Sequence, residues 1–362
     1  MSVLGRRLVF WAQLVTTWTL AFVLFGFLRN FGWPKASGFD PSYSNSFGLH
    51  LALGLVVGTV YFLIELLMKR RIFRRLSFGR WAGLKLIMHF LLALGLFSLA
   101  VLLYPVFGGE VRVGLTFQEV LFSRLLLVAL VYFSVISLAI TLFTLMNQKL
   151  GPGILPNMLR GKYHHPRTEE RIFLFIDLRS STTIAEQLGH VRFSRLIQDC
   201  FADVTDAVTR YRAEIYQYVG DEVILCWTSA AGLRDNNCVE AYFHFMRTLD
   251  NHAAHYEREY GLQPVFKAGA HLGETTVAEV GIIKRELAYH GDVLNTAARI
   301  QSKCNELGEL LLISPALHEA LPLGDDYTAQ TFAPVKLVGK ADAMPVIGLR
   351  RRRPHGVAPT LL

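Results

Sequence analysis

The chain has 362 residues, and hydrophobic side chains make up 52% of them. That length leaves room for two domains, and the apolar excess, concentrated before residue 145, excludes a wholly soluble protein. The formal net charge of +8 is mostly loop arginine and lysine and gives no reason to expect a nucleic-acid partner.

Four stretches, residues 8–28, 47–68, 81–104 and 121–143, reach the ~20 apolar residues that cross a bilayer as a helix. The first lacks a small-residue cleavage site and reads as a retained span. Lys69, Arg70, Arg71, Arg74, Arg75 and Arg80 lie between the second and third spans. Arg6 and Arg7 precede the first, and Lys149, Arg160 and Lys162 follow the fourth. The outer loops hold only Arg29, Lys35 and Arg112, so both termini are expected in the cytoplasm of a multi-pass protein of the plasma (inner) membrane. Trp33, Trp81 and Tyr104 suit interfacial anchoring. Glu65 precedes Lys69 by four residues, which predicts a pair on one helix face, and Arg124 can snorkel. His50 falls near the outer end of its span and His89 in the inner half of the next. Bonds to neighbouring helices suit them better than a shared haem.

Residues 146–170 read as a connector. Gly151-Pro152-Gly153 breaks the fourth helix, residues 154–159 suit one short amphipathic turn, and His164-His165 reads as a solvated hinge. The run Arg350 to Arg353 opens a tail, 351–362, expected to be solvated.

Between them, residues 171–350 alternate strand and helix patterns. Strands are expected at 172–178, 214–218, 222–227, 265–272, 275–280 and 286–290, and helices at 237–260 and 293–307. A last strand–helix–strand group ends near Arg350. Phe193, Leu196, Ile197, Cys200, Phe201, Val204, Val208 and Tyr211 recur at helical spacing and mark a buried helix. This mix predicts an α+β sandwich with a largely antiparallel sheet. The four cysteines, Cys200, Cys226, Cys238 and Cys304, match neither a zinc site nor a disulfide framework, so reduced, mostly buried thiols are expected.

Asp177 closes an apolar strand, and Asp221 sits in a glycine turn between two strands. Two carboxylates gathered at strand ends are costly unless divalent cations occupy the site, and hard cations bridge such carboxylates to substrate phosphates. Asn295 and Arg299 are four apart, hence on one helix face. The amide can orient a ribose oxygen, and the guanidinium can stabilise charge on a phosphoryl group. Gly291-Asp292 places a turn directly before that helix.

Three segments carry a family resemblance: Phe175-Ile-Asp177-Leu-Arg-Ser-Ser-Thr, Val219-Gly-Asp221-Glu and Gly291-Asp-Val-Leu-Asn295-Thr-Ala-Ala-Arg299. Over about residues 168–350 the chain resembles the class III nucleotidyl cyclases, the adenylyl and guanylyl cyclases. The resemblance implies a ferredoxin-like cyclase sandwich, and the four apolar stretches predict an all-α four-helix transmembrane bundle before it. It implies that Asp177, Asp221 and the Leu178 carbonyl hold two Mg²⁺ or Mn²⁺ ions, that Asn295 positions the ribose and that Arg299 stabilises the α-phosphate. It also implies a homodimer, its sites at the subunit interface, each taking metals from one chain and Asn and Arg from the other. At the family's base-selecting positions stand Gln217 and Ala288, and an amide does not choose a base. The missing guanine-reading Glu favours ATP over GTP. The alternatives are a guanylate cyclase and a non-catalytic cyclase-like nucleotide-binding receptor. A transporter or redox unit is disfavoured by the few polar residues in the spans. Where the family has a phosphate-binding Lys, Val338 stands, and Lys340 or Lys336 is the expected substitute.

Overall fold

Long runs of Leu, Val, Phe and Ala give four helices in the computed structural model: α1 (Val3–Asn30), α2 (Tyr43–Met68), α3 (Phe78–Leu103) and α4 (Arg124–Leu150). The structure describes residues 3–30, 43–68, 78–103, 124–150, 160–283, 285–335 and 343–352. The chain divides into two compact units, Met1–Lys149 and Leu150–Leu362.

In the first unit, Trp18 and Phe22 of α1, Tyr61 of α2 and Phe133 of α4 share an aromatic core. Among the described residues three stretches are long and apolar enough to cross a membrane: Arg7–Leu28, His50–Met68 and Leu127–Asn147. The expected third span falls on α3, which is not among these three stretches. Glu65 makes an ion pair with Lys85 of α3, and both partners are fully buried; the expected partner Lys69 lies outside the described residues. One expectation is corrected here: His89 stacks on the Tyr61 ring at 3.9 Å and makes no hydrogen bond among the described residues. The side chain of Arg124 and residues 151–159 also lie outside the described part.

The second unit is built on an eight-stranded sheet. Its strands are β1 (Arg167–Leu178), β2 (Glu214–Val219), β3 (Glu222–Thr228), β4 (Phe266–Val280), β5 (Glu286–His290), β6 (Leu311–Ile313), β7 (Tyr327–Val335) and β8 (Met344–Arg351). The order is β2-β3-β1-β4-β6-β8-β7, with β5 paired to β4, and only the β4–β6 pairing is parallel. β1 is central, and its near-continuous apolar run follows from burial on both faces. Ile172, Leu174, Ile176 and Leu178 meet α5 (Ser181–Arg210) and a later helix, introduced below as α7, in the larger core. Phe173 and Phe175 meet the opposite face.

The remaining helices are α6 (Ser229–Leu233), α7 (Asn237–Asn251), α8 (Ala253–Tyr260), α9 (Asp292–Ser302), α10 (Cys304–Leu307) and α11 (Pro315–Ala320). The helix expected at 237–260 breaks at His252, and the one expected at 293–307 breaks at Lys303. The two strands expected at 265–272 and 275–280 are one strand, because β1 pairs β4 continuously from Leu178↔Phe266 to Arg167↔Val277. The closing group has two strands after its helix. Arg350, Arg351 and Arg352 are exposed, as expected of a solvated run, and Arg350 also donates to both oxygens of buried Glu309 while Arg351 pairs with Glu240. The His164 and His165 side chains are exposed. All four cysteines are free and buried, as their spacing suggests.

Candidate active site

The β1–β3 and β1–β4 registers set the centre of the site. Asp177 stands opposite Glu222 of β3 and Lys267 of β4. The hairpin between β2 and β3 turns at Gly220, whose φ of 60° suits glycine, and this places Asp221 beside the end of β1. Lys267 Nζ lies 3.3 Å from Asp177 Oδ2, and the Gln301 amide of α9 donates to the same oxygen at 3.0 Å. α9 reaches that point because residue 269 of β4 is glycine: a Cβ there would lie 2.2 Å from the Gln301 backbone nitrogen.

Crowding of acids shows in their proton affinities. Burial, and then the neighbouring Asp221 carboxylate, hold the Asp177 pKa above its ordinary value against the opposing pull of Lys267. Glu222 is pushed up to about 7 by burial, then by Asp177 and Asp221. Three carboxylates therefore share one nearby ammonium. A cation would relieve this imbalance, and oxygen donors of this kind suit Mg²⁺ or Mn²⁺. Among the described residues no three or more His, Cys, Asp or Glu side chains form a complete metal cage.

Asn295 and Arg299 share α9. Asn295 is exposed. Arg299 lies 3.8 Å from Asp292, and its Nη1 is buried without a hydrogen-bond partner among the described residues. Neither residue has a described bond to Asp177 or Asp221. The structure thus gathers the two acids, and the helix that carries the amide and guanidinium is anchored to Asp177 through Gln301.

Gln217 is exposed on β2 just after a bulge, and Ala288 pairs with Ala278 on β5. Their chain neighbours, Tyr216 and Tyr289, meet edge to face at 5.0 Å, so the two positions flank one aromatic contact. Beneath it Arg171, 2% exposed, pairs with Glu169 and Glu214 and lies 5.0 Å from the Tyr289 ring. The Leu178 side chain is buried in the larger core. Lys336 and Lys340 lie outside the described residues.

Comparison with known proteins bears on this arrangement. The family model described as the adenylate and guanylate cyclase catalytic domain matches residues 163–347, half of the chain. The chain belongs to that family. Adenylate cyclase 2 of Rhizobium meliloti (strain 1021) is 32% identical over 204 residues, 56% of each chain. An adenylate cyclase of Anabaena cylindrica is 22% identical over 189 residues, 49% of this chain and 36% of that one. The chain therefore spans about half or less of the length of these relatives. A solved bacterial light-regulated adenylyl cyclase superposes with a TM-score of 0.53 at 18% identity, covering 63% of this chain and 67% of that one, which supports the fold.

Three residues of this cyclase domain escaped the sequence reading: Lys267, Glu222 and Gln301. Glu222 directly follows Asp221 and was visible as a second acid of the turn. Lys267 and Gln301 carry no signal in the sequence, because only strand register and the approach of α9 bring them to Asp177.

Proposed function

We propose that the protein is a membrane-bound adenylate cyclase that converts ATP to 3′,5′-cyclic AMP and pyrophosphate. The observation that carries this reading is the carboxylate pair of Asp177 and Asp221 at the strand ends, with Lys267 beside it. Two Mg²⁺ or Mn²⁺ ions, held by Asp177, Asp221 and the Leu178 carbonyl, would supply the positive charge that favours in-line attack of the 3′-hydroxyl on the α-phosphorus. Asp177 and Asp221 bind and fix that charge. Lys267, which neutralises Asp177 otherwise, is free to pair with a triphosphate oxygen once cations take its place. Asn295 orients the ribose, and the Arg299 guanidinium meets the charge that grows on the α-phosphate. Lys336 or Lys340 is assigned to the terminal phosphates.

Asn295 and Arg299 make no described bond to the acids of their own chain, which supports a homodimer with two sites, each completed by the partner's helix. Gln217 and Ala288 select the base, and the absence of an acidic guanine reader favours ATP. Residues 1–145 anchor the enzyme in the inner membrane, with the connector 146–170, the catalytic domain 171–350 and both termini in the cytoplasm. The three apolar stretches support the anchoring.

The test is a side-by-side assay of ATP and GTP with the purified full-length protein, with Mg²⁺, with Mn²⁺ and with chelator. Metal-dependent cyclic AMP is expected. A preference for GTP would transfer the reading to a guanylate cyclase, and no product from either nucleotide would leave a nucleotide-binding receptor.

A further inference from the structure

All four helices of the first unit line one cavity of about 440 Å³. Trp18 and Phe22 come from α1, Tyr61 from α2, His89 from α3, and Phe133 and Ser137 from α4. The rings form a continuous wall: Trp18 meets Tyr61 at 5.5 Å, Tyr61 stacks on His89 at 3.9 Å, and Phe22 meets Phe133 at 4.6 Å. A wall of ring faces favours a flat ring as its occupant.

Polar atoms in this wall are the decisive feature. Trp18 Nε1 and both ring nitrogens of His89 are buried and have no hydrogen-bond partner among the described residues, while Ser137 shares a hydrogen bond with Tyr61. The Trp18 and His89 side chains are each 4% exposed. Tyr61, in the same wall, does have a partner: its hydroxyl lies 3.2 Å from Thr141 Oγ1. In the hydrocarbon layer an unpaired polar group finds no water and costs several kcal/mol. Three such nitrogens around one cavity point to an occupant that supplies the partners.

The donor inventory narrows its chemistry. An indole N–H only donates, a serine hydroxyl donates readily, and a neutral imidazole offers one donor and one acceptor. The complement is an oxygen acceptor. Net charge is not called for, because the buried ions nearby, Glu65 and Lys85, neutralise each other. The volume falls in the lower part of the range of small-molecule sites. Ile87 and Leu91 also line the cavity and are exposed on the outside of the helices, which gives a lipid-soluble molecule a way in.

We infer that this cavity is a binding site for an uncharged, flat, mostly apolar ring compound bearing a carbonyl or hydroxyl oxygen, held by Trp18, His89 and Ser137. The inference does not depend on the cyclase reading, because it concerns binding to the membrane unit alone.

The experiment uses the full-length protein in lipid nanodiscs and two radiolabelled probes of nearly equal shape: 9-fluorenone, which has a carbonyl acceptor, and fluorene, which has none. Empty nanodiscs correct for partition into lipid. Saturable binding is expected, with fluorenone favoured by roughly tenfold, the effect of one hydrogen bond in a dry site. Trp18→Phe and Ser137→Ala keep the packing and remove one donor each, so each lowers that preference and the double variant lowers it further, to what the His89 imidazole alone supports. Circular dichroism and size-exclusion profiles confirm that the variants fold. Equal affinity for the two probes overturns the inference, leaving a cleft that takes lipid chains. An unchanged preference in the double variant, or no saturable binding, also overturns it.

Discussion

Gln301 donates its amide to Asp177 Oδ2 across 3.0 Å, so the helix that carries Asn295 and Arg299 is tied at its far end to a carboxylate on the central strand. In a dimer that shares its sites, Asp177 serves one site while Asn295 and Arg299 of the same chain serve the other. Gln301 is then a positioning residue between the two. Gln301→Leu removes one partner of a half-buried carboxylate, which costs about 1–2 kcal/mol of stability. It should raise the Mg²⁺ concentration at half-maximal activity several-fold and change kcat at saturating Mg²⁺ less. Urea titration and a metal titration of turnover check both. If neither moves, the bond has no role in placing Asp177.

Asp221 has the opposite sign of effect on stability. It adds charge beside Asp177 and Glu222 and raises the pKa of both. Asp221→Asn should therefore stabilise the protein in chelator by about 1 kcal/mol while lowering turnover by at least ~100-fold, as expected when function is built on local repulsion. Thermal unfolding with and without Mg²⁺, beside the assay, reads both. A variant less stable in chelator and fully active would remove Asp221 from the metal site.

Close approach of α9 to β4 gives a third expectation. A methyl at residue 269 would sit 2.2 Å from the Gln301 nitrogen and 2.5 Å from its Cα, and backbone cannot yield as a side-chain tip does. Gly269→Ala should destabilise the domain by about 2–3 kcal/mol through overpacking. It should also weaken activity in the protein that remains folded, because α9 carries Asn295 and Arg299. Equal stability of variant and wild type in denaturant would show that the helix shifts without cost.

Much of this was legible in the sequence, for reasons particular residues make plain. Asp177 could be read because it ends an uninterrupted apolar strand, and Asp221 because a glycine turn separates two strand patterns. Spacing alone put Asn295 and Arg299 on one helix face. Lys267 could not be read, since its position opposite Asp177 depends on a non-local pairing that no local pattern encodes. The continuity of β4 was hidden by Gly273 and Glu274, which look like a turn until β1 pairs across them. The pairing of Glu65 with Lys85 could not be read either, because intrahelical neighbours are visible in sequence and a partner on another helix is not. The orphaned nitrogens of His89 belong to the same class: helix packing, not periodicity, decides what a buried imidazole meets.

The cysteines allow a test with no enzymatic readout. Burial pushes the thiols of Cys200, Cys226, Cys238 and Cys304 up to about 12, from an ordinary value of 9.0. The folded state holds these protons more tightly than the unfolded chain. The stability this confers is complete below pH 9.0 and is lost as pH rises towards about 12. At neutral pH a maleimide should label none of the four in the native protein and all four in denaturant, because the thiolate is the reactive form. Rapid labelling of any one without denaturant would show that its site opens readily.

Complementation decides whether two chains share each site. Asp177→Ala removes the metal side of a site, and Arg299→Ala removes the helix side. In a shared-site dimer, each homodimer of one variant has two defective sites. A mixed dimer has one site carrying both defects and one carrying neither. Random mixing of equal amounts makes about half the dimers mixed, each with one intact site of two, so the mixture should regain about a quarter of wild-type activity. The variants should be co-expressed, so that dimers form during synthesis, and two affinity tags should isolate the mixed species. Purified alone, the mixed species should turn over at about half the wild-type rate per dimer. Activity no greater than that of the separate variants would mean that Asp177 and Arg299 act within one chain, and α9 would then have to bring Arg299 to the carboxylates of its own protomer.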